Sequence, residues 1–197
     1  MKTIMGIDAS LSSTGICILK EGKIVHKESI QWKQKGETET ASGKTKTLTD
    51  RQKIIRLCDI RDEVLNLVAV HQVDSAGIEG YAFAMRSASV TGLAELGGVL
   101  RASLFEECNI IPCALPVGQC RKFVVGSGKV TKVQTQEWLA DQGLDFATDD
   151  EGDAYVVALT MHYIVNSGAR NPLDVTRLEL IDGITKGVLR RIPREQL

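Results

Sequence analysis

The stretch TIMGIDASLSSTGICILK, residues 3–20, decides the fold. Two apolar runs, residues 3–8 and 14–19, flank the turn-prone residues 9–13, and a third extended segment follows over residues 23–31. Apolar runs of this length, bounded by turn residues, predict β-strands. Because the links between them are short, we expect the chain to begin with an antiparallel meander of three strands.

Beyond the meander, the pattern alternates between helix and strand. Helices are predicted from Leu48 to about Val70 and over residues 87–107, 116–125, 131–142 and 150–165. Strands are predicted over residues 73–79 and 110–115. An antiparallel start followed by such alternation predicts an α/β layer fold with a mixed sheet.

The composition limits the class of protein. A chain of 197 residues is long enough for one domain with a proper core, and its net charge of -1 means that a nucleic-acid site would have to be a local basic patch. No run approaches the roughly 18 apolar residues that span a membrane, and no secretory signal is visible. Five cysteines without a Cys-x-x-Cys pair favour reduced thiols. We therefore expect a cytoplasmic protein without a membrane partner.

Four acidic residues on three separate segments indicate a metal site. Asp8 and Glu79 each close an apolar run, whereas Asp150 and Asp153 lie three apart at the start of a helical pattern and share one helix face. Converging carboxylates repel one another unless a divalent cation lies between them, so the set predicts Mg²⁺, with Mn²⁺ as a substitute. Helix capping is an alternative reading of Asp150 and Asp153, but it leaves Glu79 unexplained.

A glycine-bearing loop, VGSGK at residues 125–129, is flanked by four basic residues: Arg121, Lys122, Lys129 and Lys132. A Walker phosphate loop would need Gly at position 123 and Ser or Thr at position 130, where this chain has Phe123 and Val130. The Walker loop is thereby excluded, and contact with DNA phosphates is predicted. A solvated basic surface loop is the alternative.

Four segments together resemble the RuvC-type Holliday-junction resolvases. MGIDASLSSTG (5–15), IEGYAFA (78–84), VVGSGKVTK (124–132) and DEGDA (150–154) occur in the order and spacing of that family. The resemblance covers about residues 3–165, and its variations are similar to those of the resolvase-like proteins of bacteriophages. We therefore predict a nuclease domain over residues 1–167 and a tail over residues 168–197, with residues 32–47 as a loop outside the resemblance.

The resemblance implies an RNase H-like fold: a mixed five-stranded sheet, antiparallel in its first three strands, with helices on both faces. It also implies a homodimer that cleaves branched DNA by two-metal hydrolysis, with the dimer interface on the helix at residues 87–107. Internal packing of that helix on the sheet would explain its small residues equally well. The implied metal ligands are Asp8, Glu79, Asp150 and Asp153, with Glu151 as a substitute if Asp150 points away. Lys132 matches a lysine of the family's active site, and Arg121 falls where the family often has another basic residue.

Two aromatic residues follow Glu79 and are predicted to contact DNA. Tyr81 and Phe83 alternate with Glu79, which puts all three on one side if the strand continues, and Arg86 follows as a backbone contact. The family inserts an aromatic from this neighbourhood into the junction, but the matching position here is Ala82. The displaced ring predicts broad branch selectivity; core packing is the alternative for one of the two rings.

The sequence thus predicts a crossover-junction endodeoxyribonuclease. A general structure-selective or flap nuclease of the RNase H superfamily differs from it in substrate rather than in mechanism. Residues 8–15 also resemble the first phosphate loop of sugar kinases and actin-like ATPases, but the second domain of those proteins does not fit in this chain. A dimeric DNA-binding scaffold would not need the full acidic set.

Overall fold

The computed structural model describes residues 2–32, 48–80 and 88–166, which form one sheet with helices on both of its faces. The strands are β1 (Thr3–Asp8), β2 (Ser13–Lys20), β3 (Lys23–Gln31), β4 (Ser75–Gly80) and β5 (Cys113–Pro116). The helices are α1 (Asp50–His71), α2 (Ala88–Cys108), α3 (Val117–Val125), α4 (Lys132–Asp141) and α5 (Asp149–Val165).

The sheet has five strands in the order β3-β2-β1-β4-β5. Strand β2 pairs antiparallel with both β1 and β3, whereas β1 pairs parallel with β4, and β4 with β5. The predicted mixed five-stranded sheet with an antiparallel beginning is therefore confirmed. The central strand β1 is buried along its whole length, which explains its continuous apolar run.

Alternate side chains of the central strands pack into two separate hydrophobic cores, one on each face of the sheet. Ile4 and Cys17 point toward the core that contains α3, α4 and α5, whereas Met5 and Ile16 point toward the core beneath α1 and α2. This is the period-two alternation of a sheet that is covered on both faces. The two-sided helical cover predicted from the resemblance is confirmed.

Helix α5 lies directly on β1 because Gly6 leaves room for it. A Cβ atom on Gly6 would overlap the carbonyl oxygen of Ala154 and the backbone nitrogen of Ala158. Only glycine allows two backbones to come this close. The contact places the first turn of α5 beside the end of β1, where Asp8 lies.

The strand predicted at residues 110–115 is shorter than expected and begins only at Cys113. Asn109 ends α2 in a left-handed conformation, and the Ile110 N–H then donates to the carbonyl of Leu104 at 2.9 Å. This hydrogen bond is the Schellman pattern of a helix C-terminus. Ile110 is therefore buried as part of the helix end and not as a strand residue.

Several sequence-based predictions concern residues outside the described ranges. These are Tyr81, Phe83 and Arg86, nearly all of the loop at residues 32–47, and the tail at residues 168–197. Within the described ranges, no helix combines the length and the apolar character that a membrane span requires.

Candidate active site

Asp8 and Glu79 lie side by side at the carboxyl ends of two parallel strands. Ile7 of β1 is in register with Ile78 of β4, so the residues that follow them are neighbours on the same edge of the sheet. The Asp8 carboxyl group is close enough to raise the pKa of Glu79, and Asp8 is only 5% exposed. Strand pairing therefore brings together two acidic residues that are far apart in sequence.

The first turn of α5 adds Asp150 and Asp153 to the same place. The Thr148 hydroxyl caps this helix by accepting a hydrogen bond from the Glu151 backbone N–H at 3.2 Å, which fixes where the turn begins. Asp153 is fully buried. Glu151, the predicted substitute ligand, instead accepts a hydrogen bond from the Ala147 N–H at 3.0 Å. Its side chain thus serves the local turn.

The ammonium of Lys132 lies among the carboxylates. Its Nζ atom is 3.4 Å from Asp8 Oδ2, 3.1 Å from Asp150 Oδ1 and 3.3 Å from Asp153 Oδ2. A fourth carboxylate, the half-exposed Asp149, lies at 3.6 Å. We call Asp8, Glu79, Asp150 and Asp153 the acidic cluster.

The position of Lys132 in its own helix is unusual and could have been noticed in the sequence. Thr131 caps α4 and forms a reciprocal capping box with Gln134, so Lys132 is the first residue of the helix. A positive charge at a helix N-terminus opposes the macrodipole. The acidic cluster supplies the compensating negative charge. Asp149 was not among the predicted site residues.

The charges of the acidic cluster perturb one another. Burial, together with the hydrogen bond and the negative charge of Asp8, raises the pKa of Glu79 to about 9. Burial also raises the pKa of Asp153, although the Arg121 guanidinium opposes this effect. Burial alone would lower the pKa of Lys132, but the carboxylates of Asp8, Asp150 and Asp153 raise it overall. The acidic cluster has more acidic groups than nearby cations, which favours binding of further positive charge.

Arg121, predicted from sequence as a phosphate contact, makes an internal ion pair. Its Nη2 atom is 2.8 Å from Asp153 Oδ2 and 3.0 Å from Oδ1, and its Nε atom is 3.2 Å from Oδ1. The side chain of Arg121 is only 13% exposed.

Lys122 and Lys129, the other two predicted DNA contacts, are exposed. The loop between them packs closely on α3, since a Cβ atom on Gly128 would lie 2.5 Å from the Gly118 carbonyl oxygen. Because both lysine side chains are exposed, they are accessible from solvent, as a contact with DNA phosphates requires.

The donor chemistry of the acidic cluster fits a magnesium or manganese ion, because carboxylate oxygens from β1 and α5 already surround one cation, the Lys132 ammonium. In the arrangement seen over residues 2–32, 48–80 and 88–166, no three His, Cys, Asp or Glu side chains form a ready-made metal site. Asp8, Asp150 and Asp153, which now contact the Lys132 ammonium, are the carboxylates available to such an ion.

Comparisons with known proteins identify the family and the fold. The family model described as crossover junction endodeoxyribonuclease RuvC matches residues 4–161. No curated protein sequence matches the chain.

Three solved structures of two proteins share this fold. The Thermus thermophilus RuvC structure superposes with a TM-score of 0.63 and 19% identity, covering 84% of this chain and 96% of that one. The same protein in complex with Holliday junction substrate gives a TM-score of 0.63, 17% identity and the same coverage of 84% and 96%. The yeast mitochondrial Holliday junction resolvase gives a TM-score of 0.56 and 14% identity, covering 96% of this chain and 84% of that one.

Proposed function

The chain belongs to the RuvC family of crossover junction endodeoxyribonucleases, and from this premise we propose that it cleaves branched DNA, such as Holliday junctions, by metal-dependent hydrolysis of a phosphodiester bond. The observation that carries the proposal is the convergence of Asp8, Asp150 and Asp153 on the ammonium of Lys132. A nuclease of this class needs a place where carboxylates can hold cations against the phosphate.

Asp8, Glu79, Asp150 and Asp153 would hold Mg²⁺, with Mn²⁺ as a substitute. When bound, a pair of such ions polarises the scissile phosphate and lowers the pKa of the attacking water. Asp8 lies between Glu79 on β4 and the acidic side chains of α5, so it would share in holding the metal with both. Glu79, whose pKa is raised to about 9 in the free protein, would serve as a ligand in its deprotonated form.

The basic side chains would bind and orient the DNA. The side chain of Lys132 is 42% exposed, so its ammonium would be accessible to the phosphate and would stabilise the charge of the transition state. Lys122 and Lys129 contact the DNA backbone from the exposed loop. Tyr81, Phe83 and Arg86 follow Glu79 in the chain and would contact the branch point itself.

A homodimer through α2 is part of the proposal. Gly92 faces inward, where a Cβ atom would come within 2.6 Å of Leu11, and Gly97 is buried. Ala94, Gly98 and Ala102 lie at four-residue intervals on the exposed face, which ends at Phe105 with 48% exposure. The small residues on the inward face of α2 therefore support internal packing, and those on the exposed face support a dimer interface.

Introducing charge on this face tests the dimer. Ala94→Arg with Phe105→Glu should shift the protein from dimer to monomer in analytical ultracentrifugation, while Glu106→Gln, also exposed on α2, should not. A wild-type monomer at micromolar concentration would count against the dimer and leave the nuclease assignment untouched.

We also assign the chain to the bacteriophage-type members of the family, because its variations around the four resembling segments are similar to theirs. It would work in the cytoplasm of a bacterial or phage-infected cell, where its free cysteines stay reduced and its DNA substrate lies.

A cleavage assay on matched substrates tests the function. Labelled four-way, three-way, flap and linear duplex DNA are incubated with the protein in Mg²⁺, in Mn²⁺ and in EDTA. We expect metal-dependent nicks in the branched substrates, none from Asp8→Asn or Asp153→Asn, and full activity from the exposed control Asp141→Asn. Cleavage in EDTA, or full activity in either cluster variant, would overturn the proposal. Preference for flaps over four-way junctions would identify a general structure-selective nuclease instead.

A further inference from the structure

Arg121 holds Asp153 in a single orientation. The guanidinium donates to both carboxylate oxygens, with Nη2–Oδ2 at 2.8 Å and two donors, Nη2 and Nε, on Oδ1 at 3.0 and 3.2 Å. Oδ1 accepts twice from Arg121, whereas Oδ2 accepts once from Arg121 and also faces Lys132, whose Nζ atom is 3.3 Å away. The fork of Arg121 thus selects which oxygen of Asp153 points at the cluster.

The Arg121–Asp153 ion pair is much less exposed than Lys122, a predicted DNA contact on the same helix as Arg121. The side chain of Arg121 is 13% exposed and that of Asp153 is 1% exposed, whereas the next residue along α3, Lys122, is exposed. Consecutive residues of a helix point about 100° apart, so the two cations lie on different sides of α3. The Nε and Nη2 groups of Arg121 already donate to a buried carboxylate, so they are not available to a phosphate.

The same guanidinium also contacts the loop that leads into α4. Arg121 Nη1 donates to the carbonyl of Val130 at 3.4 Å, two residues before Lys132. The loop is packed against α3 by the close approach of Gly128 to the Gly118 carbonyl. Arg121 therefore touches both Asp153 and the segment that presents Lys132.

We propose that Arg121 is a positioning residue, which orients Asp153 with Oδ2 toward the acidic cluster and ties the loop at residues 126–131 to the same point, and that it does not contact DNA. The inference rests on the proposed function, because the orientation of Asp153 matters only if the cluster binds metal. A partner that orients a metal ligand contributes to metal affinity without touching the ion.

Geometry, and not charge alone, sets the requirement at position 121. A lysine at this place would keep the positive charge but offer a single ammonium in place of the planar fork, so it could not hold both carboxylate oxygens together. Arg121→Lys therefore separates orientation from charge, and Arg121→Ala removes both.

The test measures Mn²⁺ affinity by calorimetry without DNA, and separately the salt dependence of branched-DNA binding without metal. For Arg121→Ala we expect a loss of roughly 10- to 100-fold in Mn²⁺ affinity and a matching fall in kcat, with an unchanged slope of DNA affinity against salt. Arg121→Lys should fall between this variant and wild type. The control Lys122→Ala should keep wild-type Mn²⁺ affinity but reduce the salt slope by about 0.9.

Thermal unfolding in EDTA provides a second measurement that does not require metal. Arg121→Ala leaves a buried carboxylate without its partner and should lower Tm by roughly 10 °C, and adding Asp153→Asn should restore most of the loss. This pair of variants also shows whether a failure to bind metal comes from unfolding.

The outcomes distinguish the inference from the function on which it rests. Wild-type Mn²⁺ affinity and kcat in Arg121→Ala, together with a reduced salt slope, would show that Arg121 is a DNA contact and would overturn the inference alone. The inference would also be overturned if Arg121→Ala lowered Tm in EDTA by the same amount with and without Asp153→Asn. If the wild type itself neither binds Mn²⁺ nor cleaves DNA, the proposed function fails, and this inference fails with it.

Discussion

Gly15 lies directly beneath Asp150. A Cβ atom on Gly15 would overlap the carbonyl oxygen of Asp150 and lie 3.0 Å from its Cβ atom. Gly15 is also the partner of Asp8 in the register of β1 and β2. The absence of a side chain at this one position therefore allows the first turn of α5 to approach the strand end that carries Asp8.

Replacing Gly15 with alanine should misplace the acidic cluster. The new methyl group would push α5 away from β2, at a cost of about 1–3 kcal/mol in the free energy of unfolding. A shift of about 1 Å in a catalytic side chain can cost roughly 100-fold in rate, so we expect at least that loss of cleavage. Single-turnover cleavage and chemical denaturation measure the two effects.

Gly118→Ala is the matched control for this prediction. Its new Cβ atom would lie 3.5 Å from the nearest atom, the Gly128 carbonyl oxygen, which is an ordinary contact. Wild-type cleavage by Gly15→Ala, or an equal loss in Gly118→Ala, would show that the close approach does not position the cluster.

The stability of the metal-free protein should fall as the pH rises. The pKa of Glu79 is raised from its usual 4.5 to about 9, so the folded state holds a proton that the unfolded state releases between these values. Its contribution to stability is fully present below pH 4.5 and is lost as the pH rises through 9. Calorimetric Tm values in EDTA should therefore decline across this window.

Glu79→Gln should flatten that decline and be more stable than wild type at pH 8, because a neutral amide needs no proton. The exposed Glu137→Gln makes the same chemical change and should follow the wild-type curve. Tm of Glu79→Gln should still decline somewhat with pH, since the pKa of Asp153 is also raised. Parallel curves for wild type and Glu79→Gln would contradict the perturbed pKa.

Lys132→Ala should affect chemistry more than DNA affinity. The ammonium contacts the carboxylates in the free protein and, in the proposed mechanism, the charge of the transition state, so its loss should lower the cleavage rate by roughly 10²–10³. Removal of this counterion should also lower Tm in EDTA. Lys129→Ala, in the exposed loop, should instead weaken DNA binding and reduce its salt slope by about 0.9. If the two variants had the same cleavage rate and the same DNA affinity, Lys132 would have no special role in the reaction.

The aromatic pair Tyr81 and Phe83 should determine branch preference. A ring stacked on an unpaired base contributes roughly 1–3 kcal/mol, enough to favour branched over continuous duplex by one to two decades. Tyr81→Ala with Phe83→Ala should erase that preference and leave Mn²⁺ affinity unchanged. Competition between labelled three-way, four-way, flap and linear substrates provides the measurement. Strict wild-type specificity for four-way junctions, or an unaltered preference in the double variant, would refute this role.

The sequence by itself determined the local elements and the identity of the acidic residues. The strand at residues 3–8 was predicted with its observed bounds, and the helix predicted at 150–165 begins one residue earlier than expected. Hydrophobic periodicity encodes which face of each segment is buried, and this information is contained within ten or twenty residues. The resemblance to a family then supplied the register of the four carboxylates.

Only the tertiary structure decided which of these groups meet. Arg121 and Asp153 are 32 residues apart, and Lys132 and Asp8 are 124 residues apart, so no local pattern could show that the first pair forms a buried fork or that the second forms an ion pair. The choice between Asp150 and Glu151 likewise depends on which side of α5 faces Lys132. Strand order and the close approach at Gly15 fix these contacts, because they set the path of the backbone that carries each side chain.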